Sequence, residues 1–195
     1  MNRSLTALTT LVDSTLEEVR IKAHAPRRPV FSLASFIAEA KNFASLDSSA
    51  WGSAFVVAPV DPHLGIAGNR NLLLAALANL LHNAFKFSRG HKRVALDAYA
   101  VADFVRIDVK DSCGGLPAGS AENMFMPFTQ GGDDQFALGL GLFIARQSVE
   151  ADGGTLGVRD VPGVGCVFTM SLPLHEVAVS AGDAPDSALT VKRPR

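Results

Sequence analysis

The stretch NLLLAALANLLHNAFKFS, residues 71–88, constrains this chain more than any other. Its leucines, alanines and phenylalanines recur at steps of three and four, a spacing that predicts a helix over 70–88. Leu73, Leu77, Leu80, Leu81 and Phe85 make one side of that helix so apolar that a second layer must cover it. The longest apolar run, Leu72 to Leu81, is interrupted by Asn79 and is far too short to span a membrane. The covering layer must therefore be protein. Within this helix Asn79 and Asn83 stand one turn apart, with Lys86 three residues further on, so all three share a face. Asparagine is a weak helix former, and a buried amide without a partner costs about 1–3 kcal/mol, so we expect something to satisfy both amides. Two amides and an ammonium on one face can surround a metal-bound phosphate, because amide oxygens are hard ligands suited to Mg²⁺ and lysine neutralises phosphate charge. A helix with its polar side in water has the same pattern.

The remaining segments supply the second layer. Residues 93–100 (RVALDAYA) and 104–111 (FVRIDVKD) alternate polar and apolar residues and predict neighbouring antiparallel strands over one core. Residues 53–62 read as a strand ending in proline, and residues 155–161 and 166–174 as a hairpin joined at PGVG. Helices are predicted over 3–22, 32–50 and 140–152, with a short one over 120–126. Residues 24–32 (HAPRRPVFS) read as a linker, and the polar, small-residue segment 175–195 as a disordered tail. The fold class expected is α+β: a two-layer α/β sandwich whose mixed, mostly antiparallel sheet is covered by helices on one face, preceded by one N-terminal helix. The domain division expected is 1–28 for that helix and its linker, 29–174 for the main domain, and 175–195 for the tail. With 48% apolar residues the chain can build a real core. Its 18 basic and 19 acidic residues argue against a nucleic-acid or membrane-surface binder. Residues 1–10 lack the apolar stretch of a signal peptide, and the two cysteines match no zinc spacing, so we expect a cytoplasmic chain with free thiols.

Three further segments carry chemistry. Asp111 ends an alternating strand and precedes Gly114 and Gly115; a carboxylate there can accept a hydrogen bond from an exocyclic amine and so select adenine, although an ordinary strand-to-loop turn has the same composition. Gly139 and Gly141, alternating with Leu140 and Leu142, precede or open a helix, where backbone N–H groups and the helix dipole favour anions. They follow the polar, glycine-rich residues 129–136, a lid-like loop. Phe125 and Phe128 flank Pro127 just before that loop and read first as core aromatics.

Together and in this order, these segments resemble the catalytic ATP-binding domain of sensor histidine kinases, which shares its fold with the gyrase, mismatch-repair and heat-shock chaperone ATPases. The resemblance covers about residues 30–174. ANLLHNAFKFS is similar to the family's N box, DSCGGL to its first glycine box, MFMPFTQ to its F box, LGLGL to its second glycine box, and GVGCVFTMSLP to its closing hairpin. The resemblance implies a Bergerat-type fold that holds ATP and Mg²⁺ between the N-box helix and the lid. It implies that Asn83 ligates Mg²⁺, Lys86 reaches phosphate, Asn79 supports the metal–phosphate cluster, and Asp111 binds the adenine amine. Gly115, Leu116 and Phe128 would line the nucleotide, and the backbone from Gly139 through Leu140 and Gly141 to Leu142 would cradle the phosphates. It further implies transfer of the γ-phosphoryl group to a phosphoacceptor histidine, and relay to an aspartate of a response regulator.

Departures from the family pattern are equally specific. Cys113 occupies the first glycine of the usual Asp-x-Gly-x-Gly, Ala137 replaces a frequent glycine, Gln130 stands where a basic residue is common, and Cys166 where threonine is common. None of His24, His63, His82, His91 or His175 has a phosphoacceptor setting. Residues 3–22 resemble the second helix of the family's dimerisation hairpin and would pair with a partner, including a second copy. The expected chain is then a kinase read from beyond its phosphorylation site, either as a piece of a longer sensor that could be membrane-anchored or as a short protein. Hydrolysing ATPases of the superfamily carry a glutamate at the position of Asn79, which orients water as a general base; asparagine cannot take that proton, so slow intrinsic hydrolysis is expected. Two other readings remain: a serine/threonine kinase of the anti-sigma-factor type, whose N box usually carries that glutamate, and a degenerate domain used for docking or dimerisation without nucleotide.

Overall fold

A computed structural model describes residues 28–88, 92–116, 120–128 and 140–178. The predicted helix over 3–22, the lid-like residues 129–136 and most of the predicted tail lie outside the described residues, as do Gln130, Ala137 and Gly139.

A five-stranded sheet forms one layer. Its order is β2 (Ala54–Val57), β4 (Arg93–Val101), β5 (Phe104–Lys110), β7 (Gly165–Pro173) and β6 (Thr155–Val161). The β2–β4 pair is parallel and the others antiparallel, so the sheet is mixed and mostly antiparallel. The register lines Leu96, Val109 and Phe168 in one row, and Ala98, Ile107 and Met170 in the next, all buried. These side chains face the helices; Asp97, Tyr99, Arg106 and Lys110 alternate onto the other face. Asp108 is the buried exception there, and its two oxygens accept from the Tyr99 hydroxyl (2.9 Å) and the Thr169 hydroxyl (2.7 Å).

Helices α1 (Leu33–Trp51), α2 (Arg70–Phe87) and α4 (Gly141–Ala151) form the second layer; α3 is a single turn, Ser120–Asn123. Parallel β2 and β4 require a crossover, and α2 supplies it. It therefore lies across the core between α1 and α4 and packs on both. Leu73, Leu77, Leu80, Leu81 and Phe85 are buried, as their spacing predicts.

The sequence reading missed a second, small sheet. Its order is β1 (Val30–Ser32), β3 (Leu64–Ala67) and β8 (His175–Glu176), both pairs antiparallel. The supposed linker thus ends in a strand, and pairing continues past Leu174 into residues assigned to the tail. Strands of two to four residues are too short to show a period, and their backbone partners come from opposite ends of the domain. The strand predicted over 53–62 shortens to Ala54–Val57, and the helix predicted over 120–126 to one turn.

Candidate functional site

Helix α2 is the spine of the site. Asn69 caps its start, its side chain accepting from the Leu72 N–H at 3.3 Å. Asn79, Asn83 and Lys86 line the side away from the buried leucines, each partly exposed. The expectation of buried amides in need of a partner is corrected here: neither asparagine is buried, and neither is hydrogen-bonded among the described residues. Their polar groups thus cost little in the folded chain and stay available to a ligand. The Lys86 ammonium lies 5.7 Å from the centre of the Phe87 ring.

Helix α4 brings the glycine–leucine segment to this face. It starts at Gly141 after Leu140, and no side chain caps its first turn. A Cβ at Gly141 would stand 3.5 Å from Asn79 Oδ1, so the backbone at this helix start and the Asn79 amide face each other at close range. Leu142 packs against the core beside them. The far end of α4 is fixed by Asp152, buried, whose carboxylate accepts from the Asn69 N–H at 2.8 Å and pairs with Arg28 at 3.4 Å. One carboxylate therefore ties the end of α4 to the start of α2.

Asp111 follows β5 and is buried. Its Oδ1 accepts the N–H of Cys113 (3.0 Å) and of Cys166 (2.8 Å), while its own N–H donates to the Cys166 carbonyl at 2.9 Å. Its second oxygen accepts no backbone bond among the described residues and is left for another donor. Close approach of Gly165 makes this possible, since a Cβ there would fall 2.2 Å from the Asp111 carbonyl oxygen. Beyond it the loop turns at Gly114 and Gly115, with φ of 98° and 104°. These are the two positions where the turn demands glycine; Cys113 does not take a positive φ, which is why the loop tolerates its side chain. The loop is held to the β6–β7 turn by the Leu116 N–H on Asp160 Oδ1 (2.8 Å) and by the Gly114 N–H on the Val164 carbonyl (3.1 Å). It is tied to α2 as well, because buried Ser88, at the end of that helix, accepts the Ser112 N–H at 2.9 Å.

Cys113 and Cys166 meet beside Asp111, sulfur to sulfur at 3.5 Å. Burial holds both thiols above the ordinary cysteine value. The Asp111 carboxylate adds to this at Cys113; at Cys166 the contact with Cys113 adds to it, and the carboxylate after that. The F-box aromatics divide. Phe125 is buried under the Arg146 guanidinium, 5.4 Å from its ring centre, whereas Phe128 is exposed with φ 64°, so the expectation that both fill the core is corrected for Phe128.

Asn79, Asn83 and Lys86, the start of α4 with Leu140, Gly141 and Leu142, and the Asp111–Leu116 loop are thus all fixed to one helix. Sequence reasoning missed Ser88, Asp160 and Gly165, which do the fixing: serine, aspartate and glycine at those points look like ordinary helix-end and hairpin residues. Chemically, α2 and the start of α4 offer amide oxygens, a cation and main-chain N–H groups suited to an anion, and the loop after β5 offers a buried carboxylate suited to an amine donor.

A family model described as histidine kinase-, DNA gyrase B- and HSP90-like ATPase matches residues 68–176. The sensor histidine kinase AruS of Pseudomonas aeruginosa is 35% identical over 141 residues, which is 67% of this chain and 14% of that protein. The aerobic respiration control sensor protein ArcB of Escherichia coli is 29% identical over 174 residues, 86% of this chain and 22% of that protein. The chain therefore spans a quarter or less of the length of either relative. Among solved structures, the mycobacterial sensor histidine kinase MprB shares the fold at a TM-score of 0.67 and 24% identity, covering 77% of this chain and 99% of that one. Full-length ShkA, solved in complex with AMPPNP, has a TM-score of 0.67 and 25% identity, covering 90% of this chain and 39% of that one.

Proposed function

Since this chain belongs to the histidine kinase-, DNA gyrase B- and HSP90-like ATPase family, we propose that residues 29–174 bind Mg–ATP and donate its γ-phosphoryl group to a histidine on another segment, for relay to a response-regulator aspartate. The carrying observation is the apposition of Asn79 and the start of α4, 3.5 Å from its amide oxygen to a Cβ position on Gly141, on the helix whose end is tied to the Asp111 loop. Mg²⁺ fits the amide face, because Asn79 and Asn83 present hard oxygens that no protein group occupies among the described residues. When bound, the ion would neutralise phosphate charge and hold the triphosphate in one geometry.

The roles proposed for the chain's own residues are those the family resemblance implies, and the apposition of Asn79 and Gly141 supports them. Asn83 holds the ion and Asn79 supports the cluster. Lys86 reaches a phosphate, and the N–H groups around Leu140, Gly141 and Leu142, preceded by Gly139, receive the phosphate oxygens. Asp111 accepts the adenine amine on the oxygen its backbone bonds leave open, with Gly115, Leu116 and Phe128 along the ring. Asn79, unlike a carboxylate, takes no proton from water, so ATP is kept for transfer rather than hydrolysed. The same residue disfavours the anti-sigma-factor reading. Residues 3–22 are proposed to carry the contact with the phosphoacceptor helix or a second copy.

The test uses the whole chain. Saturating Mg–ATP at 100 times its Kd should stabilise it by about 2.7 kcal/mol, read as a thermal shift. Asp111→Asn should narrow the preference for ATP over GTP, and Asn83→Ala should abolish the dependence of binding on Mg²⁺. Unchanged nucleotide affinity in both variants would sink the site assignment. Label transferred from radioactive ATP to a partner carrying an acceptor histidine should be acid-labile, whereas acid-stable label would mark a serine kinase.

A further inference from the structure

Cys113 and Cys166 meet at Asp111 in a cluster whose two thiols nucleotide binding does not account for. One carboxylate oxygen and the two sulfurs all lie within 4.8 Å of one another. The arrangement is built rather than incidental, because both cysteine N–H groups bond the same Asp111 Oδ1, at 3.0 and 2.8 Å. Those two bonds anchor a loop cysteine and a strand cysteine to a common point. Cys166 is buried at 1% exposure, while Cys113 is partly open, so the cluster has a closed side and an accessible one.

We propose that Asp111, Cys113 and Cys166 are a binding site for a thiophilic divalent cation of the Zn²⁺ class. Sulfurs 3.5 Å apart can both lie about 2.3 Å from one ion at a sulfur–metal–sulfur angle of roughly 100°, close to tetrahedral. A disulfide would instead require the sulfurs to close to about 2.05 Å, so the observed spacing suits a shared ion without rearrangement. Two thiolates and one carboxylate match the borderline-soft character of zinc, and the accessible side at Cys113 leaves a fourth position for water. On binding, each thiol releases its proton to solvent, so no oxidant is needed. The backbone bonds to Asp111 Oδ1 serve as outer supports that orient the carboxylate. Zinc has no redox chemistry, so the consequence is one of occupancy. Asp111 is also the carboxylate assigned above to the adenine amine, so the ion and the nucleotide should exclude one another. That consequence rests on the proposed function; ion binding itself does not.

The experiment titrates the reduced full chain with Cd²⁺ as a spectroscopic stand-in, following thiolate-to-metal charge-transfer absorbance, with Zn²⁺ as competitor. One ion per chain is expected, displaced by Zn²⁺ and untouched by Mg²⁺. Cys113→Ser, at the accessible side, should weaken binding by at least about tenfold, the loss that even an outer-shell change can cause. Cys166→Ser should do the same where it folds. A missing band, or an unchanged affinity in Cys113→Ser, overturns the proposal. So does a treated chain whose thiols are recovered by reductant and not by a chelator, which would mean a disulfide. Mg–ATP should then lower the apparent Cd²⁺ affinity. A normal band that ATP leaves unchanged, in a chain that binds ATP, upholds the ion site and removes the nucleotide from Asp111.

Discussion

A methyl group at position 141 would sit 3.5 Å from the Asn79 amide oxygen and clash with nothing in the described residues. Gly141→Ala should therefore fold normally, with stability unchanged or raised by up to about 1 kcal/mol, because alanine loses less backbone freedom in a helix. The same methyl projects into the gap between α4 and Asn79, so Mg–ATP affinity should fall while the thermal midpoint does not. Calorimetric titration and thermal unfolding of one variant separate the two effects; an affinity equal to that of the parent chain counts against the phosphate cradle at this helix start. Individual residues were legible to unequal degrees. Asn79, Asn83 and Lys86 could be placed on one face from spacing alone, but that their amides are half-exposed rather than buried depends on how α4 and the layer below frame that face. Cys113 looked like a defect in a glycine turn; the backbone shows the turn at Gly114 and Gly115 instead.

Between elements, the decisive contacts are few and polar. Buried Ser88 receives the Ser112 N–H and joins the end of α2 to the loop that follows Asp111. Ser88→Ala leaves that N–H without its partner and should cost about 1–3 kcal/mol in urea unfolding. It should also weaken nucleotide binding, although Ser88 has no assigned contact with nucleotide, because Asp111 loses its tether to the Asn83 helix. Full ATP affinity in a destabilised Ser88→Ala chain would mean that the two ends of the site are positioned independently. At this scale the long helices α1, α2 and α4 and the alternating strands β4 and β5 were readable, because each carries several periods of its pattern. β1, β3 and β8 were not, since they exist only through pairing with one another.

For the molecule as a whole, the polar face of the sheet sets an alkaline limit. The hydrogen bond to Asp108 is the main reason Tyr99 is held above its ordinary value, and the bond to Asp97 does the same for Lys110. A group whose proton is held more tightly in the folded chain contributes stability that is fully present below its unfolded pKa and is lost as pH rises through the folded one. The stability these groups contribute should thus be complete and constant between neutral pH and about 9, then decline from roughly pH 10 upward. Tyr99→Phe should flatten part of that decline in unfolding measured across pH; an identical alkaline profile would remove Tyr99 as a cause.

By itself the sequence determined the layer class, the buried side of α2, the strand pair β4–β5 and the types of residue that gather around a charged ligand. These follow from periodicity and local chemistry, which each segment carries alone. Tertiary structure decided that Gly141 faces Asn79, that Gly165 yields space to Asp111, and that Cys113 meets Cys166. Such contacts join residues far apart in the chain, and only the packing of α2 across the sheet sets the distances between them.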